Sequence, residues 1–530
     1  MTTRAFLLAT TMLAITPAAI ADNAHHSHGG NVGKVAFQNS CAPAVQDDLT
    51  RGVAMLHSFW YSAGETTFRA VLARDPSCAI ATWGIASLMM ANPLAGVGSS
   101  PAEAEKARVI IEEGRRIGAK TERERDYLEA VAAYFQDWAT RPERERQIAR
   151  RKAYEALASK YPTDDEAQIF SALYIAGTQS QADQTYAAYG RAVEILTPMF
   201  AKYPDHPGVA HYLIHSFDAP PIAAKGLDAA RKYAGLAPDS PHALHMPSHI
   251  FTRVGAWRDS ADANARSFTV AVKSGDVGDA YHASDYMVYA ELQLGRDTAA
   301  RSAMEAASKV TLPASVPPAA HYAVAAMPAR LAMERGDWAA AVQLTPPATT
   351  LPYTRALIEF ARGIGAARTG DAVIAEQAAT ALRELHEKLV AAKNAYWAAE
   401  VENQHRTVAA WAAFARARTE EALGMMRDAA EREDKIEKHI VTPGRLAPAR
   451  ELLGDMLMLA KRPAEALQAY EQSQAREPNR FRGYLGAALA AEATGNTAAA
   501  KSYFEKLLNL ATAADSERPE LSRARAFVTR

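Results

Sequence analysis

The chain has 530 residues, and its 59 lysines and arginines nearly balance 60 acidic residues, giving a formal net charge of -1 at pH 7. A chain without excess positive charge has no field that would gather nucleic acid or an anionic membrane over its whole surface, so we expect neither partner. Hydrophobic residues make up 49% of the chain, which is enough to bury a large core.

The first 21 residues have the pattern of a bacterial export signal. Arg4 precedes an apolar run over residues 5–15, and residues 19–21 form a small-x-small cleavage site. We therefore expect a signal peptide over residues 1–21 and a periplasmic or secreted protein. Elsewhere the chain has no uncharged apolar stretch of about 18 residues, so we expect no membrane span in the mature protein.

Residues 22–40 are rich in His, Gly, Asn and Ser, and they include His25, His26 and His28. This composition predicts a flexible leader. A short histidine tract of this kind either captures a transition metal ion or is only a solvated tail.

The two cysteines of the chain are Cys41 and Cys78. In an oxidising compartment an even pair of cysteines favours a disulfide bond. The bond would tie the incoming N-terminal segment to the first helical hairpin. The alternative is two separate buried thiols.

From Cys41 onward the sequence is typical of an all-α protein. Ala, Leu, Glu, Arg and Gln dominate, and apolar residues recur every three or four positions. Within this region one pattern occurs twice, displaced by 34 residues, which indicates a repeat. The two copies share proline, histidine, histidine and phenylalanine: Pro207, His211, His215 and Phe217, then Pro241, His245, His249 and Phe251.

A second pattern extends over most of the helical region. Its units place small residues where two helices cross, a bulky apolar residue between hairpins, and a proline at the end of the second helix. The clearest copy has Leu453, Gly454, Leu457, Ala466, Tyr470 and Pro478. This pattern resembles the tetratricopeptide repeat (TPR) family. The resemblance implies an all-α, TPR-like helical-hairpin solenoid, wound into a right-handed superhelix with one concave face.

Proline-rich stretches at residues 312–318 and 345–352 interrupt the array. They are either hinges or long turns between helices. We divide the chain at the first of them, into an N-terminal helical array over residues 41–312 and a C-terminal array over residues 313–530.

The resemblance also implies where the histidines of the doublet point. In TPR proteins the first helix of each hairpin lines the concave groove, and residues four apart on a helix share a face. The predicted metal-binding set combines imidazoles and carboxylates from three successive hairpins: His211, His215, Asp218, His242, His245, His249, His282 and Asp285. His57, Tyr289 and His321 are further candidates for the groove wall. For His57 the favoured alternative is a core position among the aromatic residues that follow it.

Imidazole nitrogen with carboxylate oxygen and no thiolate suits Zn, Cu, Ni or Fe ions. The favoured hypothesis is therefore an exported binding protein that holds a transition metal ion, or a metal-loaded ligand, in a histidine-lined groove. The alternatives are a scaffold that binds a protein or peptide in the same groove, and histidines with a purely structural role. A metal-dependent hydrolase or oxidase is least favoured, because both copies lack the His-Glu-x-x-His pattern of zinc proteases.

Pro247 lies between His245 and His249. Because proline lacks a backbone N–H, it ends, restarts or kinks a helix. A helix that restarts at Pro247 would allow the two histidines to point in different directions, whereas a kink would turn His245 toward the groove.

Overall fold

The computed structural model describes residues 31–96, 98–313, 315–347 and 351–530. The predicted signal peptide and the histidine tract His25, His26 and His28 lie outside these residues. Throughout the described ranges the secondary structure is helical and contains no β-strand. Two short 3₁₀ helices, Pro43–Val45 and Ala223–Gly226, accompany the α-helices.

The α-helices follow one another through short turns along the whole chain. The first part contains α1 (Gln46–His57), α2 (Tyr61–Arg74), α3 (Ile80–Leu88), α4 (Pro101–Ile117), α5 (Glu122–Phe135), α6 (Glu143–Lys160), α7 (Asp165–Ala176) and α8 (Ala187–Lys202). The middle contains α9 (Pro207–Ser216), α10 (Leu227–Tyr233), α11 (Pro241–His245), α12 (Pro247–Arg253), α13 (Trp257–Ser274), α14 (Val277–Gln293) and α15 (Asp297–Ser308). The last part contains α16 (Pro318–Arg335), α17 (Trp338–Val342), α18 (Pro352–Arg368), α19 (Ala372–Ala391), α20 (Ala395–Ala415), α21 (Thr419–Glu433), α22 (Ala449–Leu459), α23 (Pro463–Arg476), α24 (Phe481–Ala493), α25 (Thr497–Leu510) and α26 (Pro519–Val528).

Sequential helices pack as hairpins, and the hairpins stack. Examples of hairpins are α1 with α2, α14 with α15, α18 with α19 and α24 with α25. Stacking brings together every second helix, as in α14 with α16, α18 with α20 and α22 with α24. The structure is therefore a TPR-like helical-hairpin solenoid, and the predicted fold class is confirmed.

The small and glycine residues of the repeat have the structural roles expected of them. A side-chain carbon added at Gly454 would come within 2.7 Å of the ring of Tyr470, so the close approach of α22 and α23 requires a residue without one. Gly255 and Gly295 end first helices with φ of 69° and 71°, a left-handed conformation that favours glycine.

The N-terminal segment is packed against the helices where the structure describes it, from residue 31 onward. Phe37 is 4% exposed and stacks on Trp83 with ring centroids 5.0 Å apart. The backbone N–H of Lys34 donates to the carbonyl of Asp205 at 3.0 Å. Burial of the Phe37 ring offsets the entropy cost of ordering the segment.

Cys41 and Cys78 form a disulfide bond across 37 residues of sequence, as expected. The bond holds the segment before α1 against the start of α3. Asp75 accepts a hydrogen bond from the backbone N–H of Ala42 at 2.7 Å, which reinforces the same connection. Because both thiols are used in the bond, the nearby Asp75 carboxylate and the two sulfur atoms do not form a metal site.

The solenoid closes on itself, because its C-terminal hairpins contact its middle. Arg480 on the turn before α24 is fully buried between Glu334 and Glu451, donating to each at 2.7 Å. The indole N–H of Trp257 donates to the carbonyl of Asn479 at 2.6 Å. Helix α14, before residue 313, packs on α16, after it. The division of the chain into two arrays at this point stays a prediction.

No helix within the described residues is long and apolar enough to cross a membrane.

Candidate metal centre

Six histidines meet in the middle of the solenoid. Helix α9 carries His211 and His215, the pair α11 and α12 carries His242, His245 and His249, and α14 carries His282. These helices are the first members of three successive hairpins, as the repeat predicts. The five histidines of α9, α11 and α12 are at most 8% exposed, and His282 is partly buried. The imidazoles therefore lie inside the protein rather than on an open concave surface.

The histidine rings contact one another in an unbroken series. The ring centroids of His211 and His215 are 5.0 Å apart, and those of His215 and His249 are 5.5 Å apart. The ring centroid of His245 lies 5.0 Å from that of His249 and 4.3 Å from that of His282. Phe59 packs against His211 at one end of this series, and Tyr286 packs against His282 at the other.

Two sets of three histidines are close enough to share an ion. We call His211, His215 and His242 the first triad, and His245, His249 and His282 the second triad. In each triad the three ring nitrogens lie within 4.8 Å of one another. A zinc-sized ion bound at about 2.1 Å requires its ligands to be roughly that close, so small side-chain rotations would complete either set.

Pro247 does not separate the histidines on either side of it. Met246 keeps helical backbone angles, and the N–H of His249 donates to the carbonyl of Met246 at 3.1 Å. The Nε2 atoms of His245 and His249 are 3.0 Å apart. The chain therefore ends one short helix and starts another at Pro247, and both imidazoles still point to the same place.

The outward-facing nitrogens of three of these imidazoles are held by oxygen acceptors. Nδ1 of His211 donates to the carbonyl of His57 at 2.7 Å, and Nδ1 of His249 donates to Asp218 Oδ2 at 2.9 Å. Nδ1 of His245 donates to Asn264 Oδ1 at 2.7 Å. Such outer contacts select the ring tautomer that leaves Nε2 as a bare lone pair, which is how metal-binding histidines are oriented.

The orientation of the Asn264 side chain supports this assignment. Its amide NH₂ group donates to the carbonyl of Ser260 at 2.7 Å, so its oxygen must face His245. With Nδ1 of both His245 and His249 protonated, the two Nε2 lone pairs face each other. That arrangement is repulsive without a positive charge between them.

Four of the six histidines have a ring nitrogen without a partner among the described residues. Nε2 of His211, His215 and His242 and Nδ1 of His282 are buried and accept or donate no hydrogen bond. A buried polar atom left unpaired costs about 1–3 kcal/mol. The donor set of imidazole lone pairs fits a transition metal ion of the zinc or copper class.

The environment keeps five of the imidazoles uncharged at neutral pH. Burial lowers the pKa of His211, His215, His245 and His282 well below the usual range, and neighbouring histidines lower it further. Burial also lowers the pKa of His249 to about 4, although Asp218 acts in the opposite direction. Neutral imidazole is the form that binds metal ions.

The two predicted carboxylate ligands lie outside the triads. Asp218 supports His249 from behind and also accepts from Arg253 Nε at 2.7 Å. Burial acts to raise the pKa of Asp218, but Lys438 and Arg253 hold it well below the usual range. Asp285 pairs with the buried Arg330, whose Nε donates to Asp285 Oδ1 at 2.8 Å. Its carboxylate is therefore occupied by the guanidinium.

Three further residues of the predicted groove are also outside the triads. Tyr289 packs between Trp257 and Arg480 and hydrogen-bonds with the latter. His321 is partly buried near the start of α16, apart from the groups that could share an ion. His57 joins Glu166 and His206 in a separate buried network.

This network satisfies its own hydrogen bonds. Nε2 of His57 and Nε2 of His206 each donate to Glu166 at 2.9 Å. Nδ1 of His57 accepts from the hydroxyl of Tyr212 at 2.8 Å, and Nδ1 of His206 accepts from the N–H of Val209 at 3.3 Å. Every ring nitrogen has a partner, so the group is stable without an ion, in contrast to the triads.

A segment from the C-terminal part of the chain covers the histidines. We call residues 436–445 the covering segment. The hydroxyl of Tyr286 donates to the carbonyls of Ile440 and Thr442 at 3.1 and 3.0 Å. Lys438 is 6% exposed and lies 3.5 Å from Asp218 Oδ2. Sequence analysis missed this segment, as it missed Asn264, because neither carries a motif and Lys438 lies far along the chain from the doublet.

Comparisons with known proteins do not assign the chain to a family. No protein-family model matches the chain, and no curated protein matches it. Among solved structures, a similar one is the crystal structure of the APC/C hetero-tetramer Cut9-Hcn1, at 12% sequence identity over 91% of this chain and 96% of that chain, with a TM-score of 0.30. A score this low supports no conclusion about activity or partners, and the fold class rests on the helix packing described above.

Proposed function

We propose that this protein binds a transition metal ion through the histidines of the two triads. The observation that supports the proposal most directly is the contrast between ring nitrogens that have an oxygen acceptor and ring nitrogens that have no partner. Three of the imidazoles, those of His211, His245 and His249, hold their outer nitrogens against oxygen acceptors. His211, His215, His242 and His282 each have a ring nitrogen that is buried and unpaired. Structural histidines in the same protein, such as His57, have partners on both sides.

The chemistry of the donors narrows the class of ion. The triads supply only neutral nitrogen atoms, which suit Zn(II), Cu, Ni(II) or Fe(II) better than Ca²⁺ or Mg²⁺, since the latter prefer oxygen. Asp218 adds a negative charge beside His249. This is the familiar arrangement in which a carboxylate raises the basicity of a metal-binding imidazole.

Metal content of the purified chain tests the proposal. The protein is stripped with a chelator, dialysed against Zn(II) or Cu(II), and analysed by mass spectrometry for bound metal. We expect stoichiometric metal in the native chain and less metal in His215→Ala and His249→Ala. His321→Ala is the matched control, because His321 lies outside the triads.

Two results would contradict the proposal. One is native protein that takes up no metal after reconstitution. The other is metal that is retained in both triad variants while the control behaves in the same way. Circular dichroism of each variant shows whether its helices are intact before metal content is compared.

A second candidate function is the binding of a protein partner. The fold favours it, because helical-hairpin solenoids present extended surfaces on which partners commonly dock. The histidine-lined part of the groove is covered by residues 436–445. A partner that binds there would have to displace this segment.

Hydrogen exchange can test the second candidate with a defined partner peptide. Binding in the histidine groove would increase exchange in residues 436–445, whereas binding elsewhere on the solenoid would leave them protected. A peptide that binds stripped and metal-loaded protein equally, without any change in these residues, would show that the groove is not its site.

We also propose that the protein is exported, on the basis of the pattern in residues 1–21. N-terminal sequencing of the protein from its native host tests this. A mature chain that begins near Asp22 supports export, and a chain that retains Met1 contradicts it.

A further inference from the structure

The two triads are built from the same positions of the repeat. His211 and His215 correspond to His245 and His249, which lie 34 residues later. The third member of each triad comes from the first helix of the following hairpin: His242 completes the first triad, and His282 completes the second. Each triad is therefore one copy of a unit that spans two neighbouring hairpins.

The six histidines do not form one set around a single point. The ring nitrogens that lie within 4.8 Å of one another fall into two groups of three. One ion with bonds of about 2.1 Å cannot reach six nitrogens distributed in this way. Three imidazoles are, in contrast, a common set for one ion, with a further position left for a small ligand.

The two triads are in direct contact. His242 and His245 lie on the same short helix α11 and belong to different triads, with ring centroids 6.1 Å apart. His215 of the first triad and His249 of the second have ring centroids 5.5 Å apart. Ions held by the two triads would therefore be neighbours.

The hairpin that begins with α14 does not repeat the histidine pair. There the positions that correspond to the paired histidines hold Asp285 and Tyr289. Asp285 is paired with Arg330, and Tyr289 hydrogen-bonds with Arg480. The unit thus occurs in two complete copies in this part of the solenoid.

We propose that the protein holds two neighbouring transition metal ions of the zinc or copper class, one in each triad. This inference rests on the proposed function and makes it more specific, since it states the number of ions and assigns each to its residues. The triads themselves carry no negative charge. Among the charged groups near them, Asp218 is offset by Arg253 and Lys438. A pair of divalent ions therefore binds together with a small anion such as hydroxide, which offsets part of their positive charge. A pair of Cu(I) ions brings half that charge and needs less negative charge to offset it.

Metal stoichiometry separates this proposal from the simpler one. Full-length protein, in which His25, His26 and His28 are replaced by alanine in every variant so that the leader adds no metal, is stripped and titrated with Zn(II) and, separately, with Cu(II). Bound metal is counted per chain. We expect two ions in the native chain. The double variant His211→Gln with His242→Gln should bind one ion, and so should His245→Gln with His282→Gln. Combining all four changes should abolish binding, while His321→Gln should still bind two.

The possible outcomes have distinct meanings. One ion in the native chain, lost in either double variant, would overturn the two-ion proposal and leave the proposed function intact. Absence of binding in the native chain would overturn both. If a double variant does not fold, the single changes His242→Gln and His282→Gln replace it, because each removes only the ligand contributed by the following hairpin.

Electron paramagnetic resonance of the Cu(II) form tests whether the ions are neighbours. Two adjacent Cu(II) ions couple magnetically, so the native chain should give a broadened signal that accounts for less spin than the copper bound. Each double variant should give the full signal of one isolated Cu(II) ion. An uncoupled two-ion signal in the native chain would contradict the assignment of the ions to adjoining triads.

Discussion

Single histidine residues in this protein differ in where their ring protons go. In the network of His57, His206 and Glu166, each imidazole donates inward to the carboxylate and accepts from outside. In the triads, the protons of His211 and His249 point outward and the inner lone pairs face other imidazoles. The position of the oxygen acceptors, rather than burial alone, therefore distinguishes the two kinds of site.

Asn264 provides a test of this tautomer argument. Asn264→Leu removes the acceptor for Nδ1 of His245, and loss of such an outer contact typically weakens metal binding about 10- to 100-fold. We expect that decrease for the second triad only. Asn264→Asp, which keeps an acceptor oxygen, should restore most of the affinity. Isothermal titration calorimetry with Zn(II) measures both, and equal affinity in Asn264→Leu and the native chain would refute the role.

His439 gives the folded protein a specific dependence on pH. Its Nε2 donates to the carbonyl of Ala95 at 3.0 Å, and burial lowers its pKa to about 4. An unfolded histidine titrates near pH 6.5, so between these values the unfolded chain binds the extra proton and the folded state loses stability as the pH falls. From pH 7.5 to 5.5 this loss is about 1 kcal/mol.

The variant His439→Gln isolates this contribution. It should show a decrease in unfolding free energy between pH 7.5 and 5.5 that is smaller than that of the native chain by about 1 kcal/mol. Urea denaturation of metal-free protein at the two pH values provides the measurement. The same pH dependence in both proteins would mean that His439 does not contribute.

At the scale of structural elements, two short pieces of chain determine the site. Helices α11 and α12 carry three histidines within eight residues of chain, and these serve both triads: His242 belongs to the first, and His245 and His249 belong to the second. The covering segment, residues 436–445, then closes the site from the other side. Lys438 in that segment places a positive charge next to Asp218, and burial lowers the pKa of its amino group to about 8.

Lys438→Met tests the effect of the covering segment on metal binding. A buried positive charge opposes the binding of cations, so we expect the variant to bind Zn(II) about tenfold or more tightly than the native chain. Asp218 keeps Arg253 and His249 as partners in the variant. The exposed Lys435→Met is the matched control. Weaker binding in Lys438→Met would show that the lysine supports the site instead.

The whole molecule is held closed by buried ion pairs between distant parts of the chain. Arg480 joins Glu334 to Glu451, Arg330 joins Asp285 to the covering segment, and Arg518 pairs with Asp297. These contacts place the C-terminal hairpins against α14 and α16. They are the reason that the centre of the solenoid is buried rather than open.

Arg480→Met should destabilise the closed form strongly. Removing one partner of a buried pair leaves uncompensated charge on Glu334 and Glu451, which typically costs about 3–5 kcal/mol. Arg462→Met is the control, because its pair with Glu465 is near the surface, where solvent screening leaves such a pair little effect on stability. Urea denaturation followed by circular dichroism compares the two, and equal midpoints would contradict the assignment.

The helical class and the repeat follow from local periodicity. The choice of the six histidines also used the groove-facing positions that the resemblance to TPR proteins implies. The 34-residue shift and the four-residue spacing of His211 and His215 need no knowledge of distant contacts. The ion pair that keeps Asp285 out of the triads was not predictable in this way, since its partner Arg330 lies 45 residues away in the sequence. The covering segment was equally hidden, because it reaches the site only when the solenoid closes.

The shared construction of the triads has a consequence for cooperativity. Repeat solenoids are stabilised mainly by contacts between neighbouring units, so parts of them can unfold independently. Here neither triad is complete within one hairpin, and His242 and His282 each join a hairpin to the one before it. Bound ions would cross-link each of these hairpins to the one before it. The stretch from α9 to α14 would then unfold as one block.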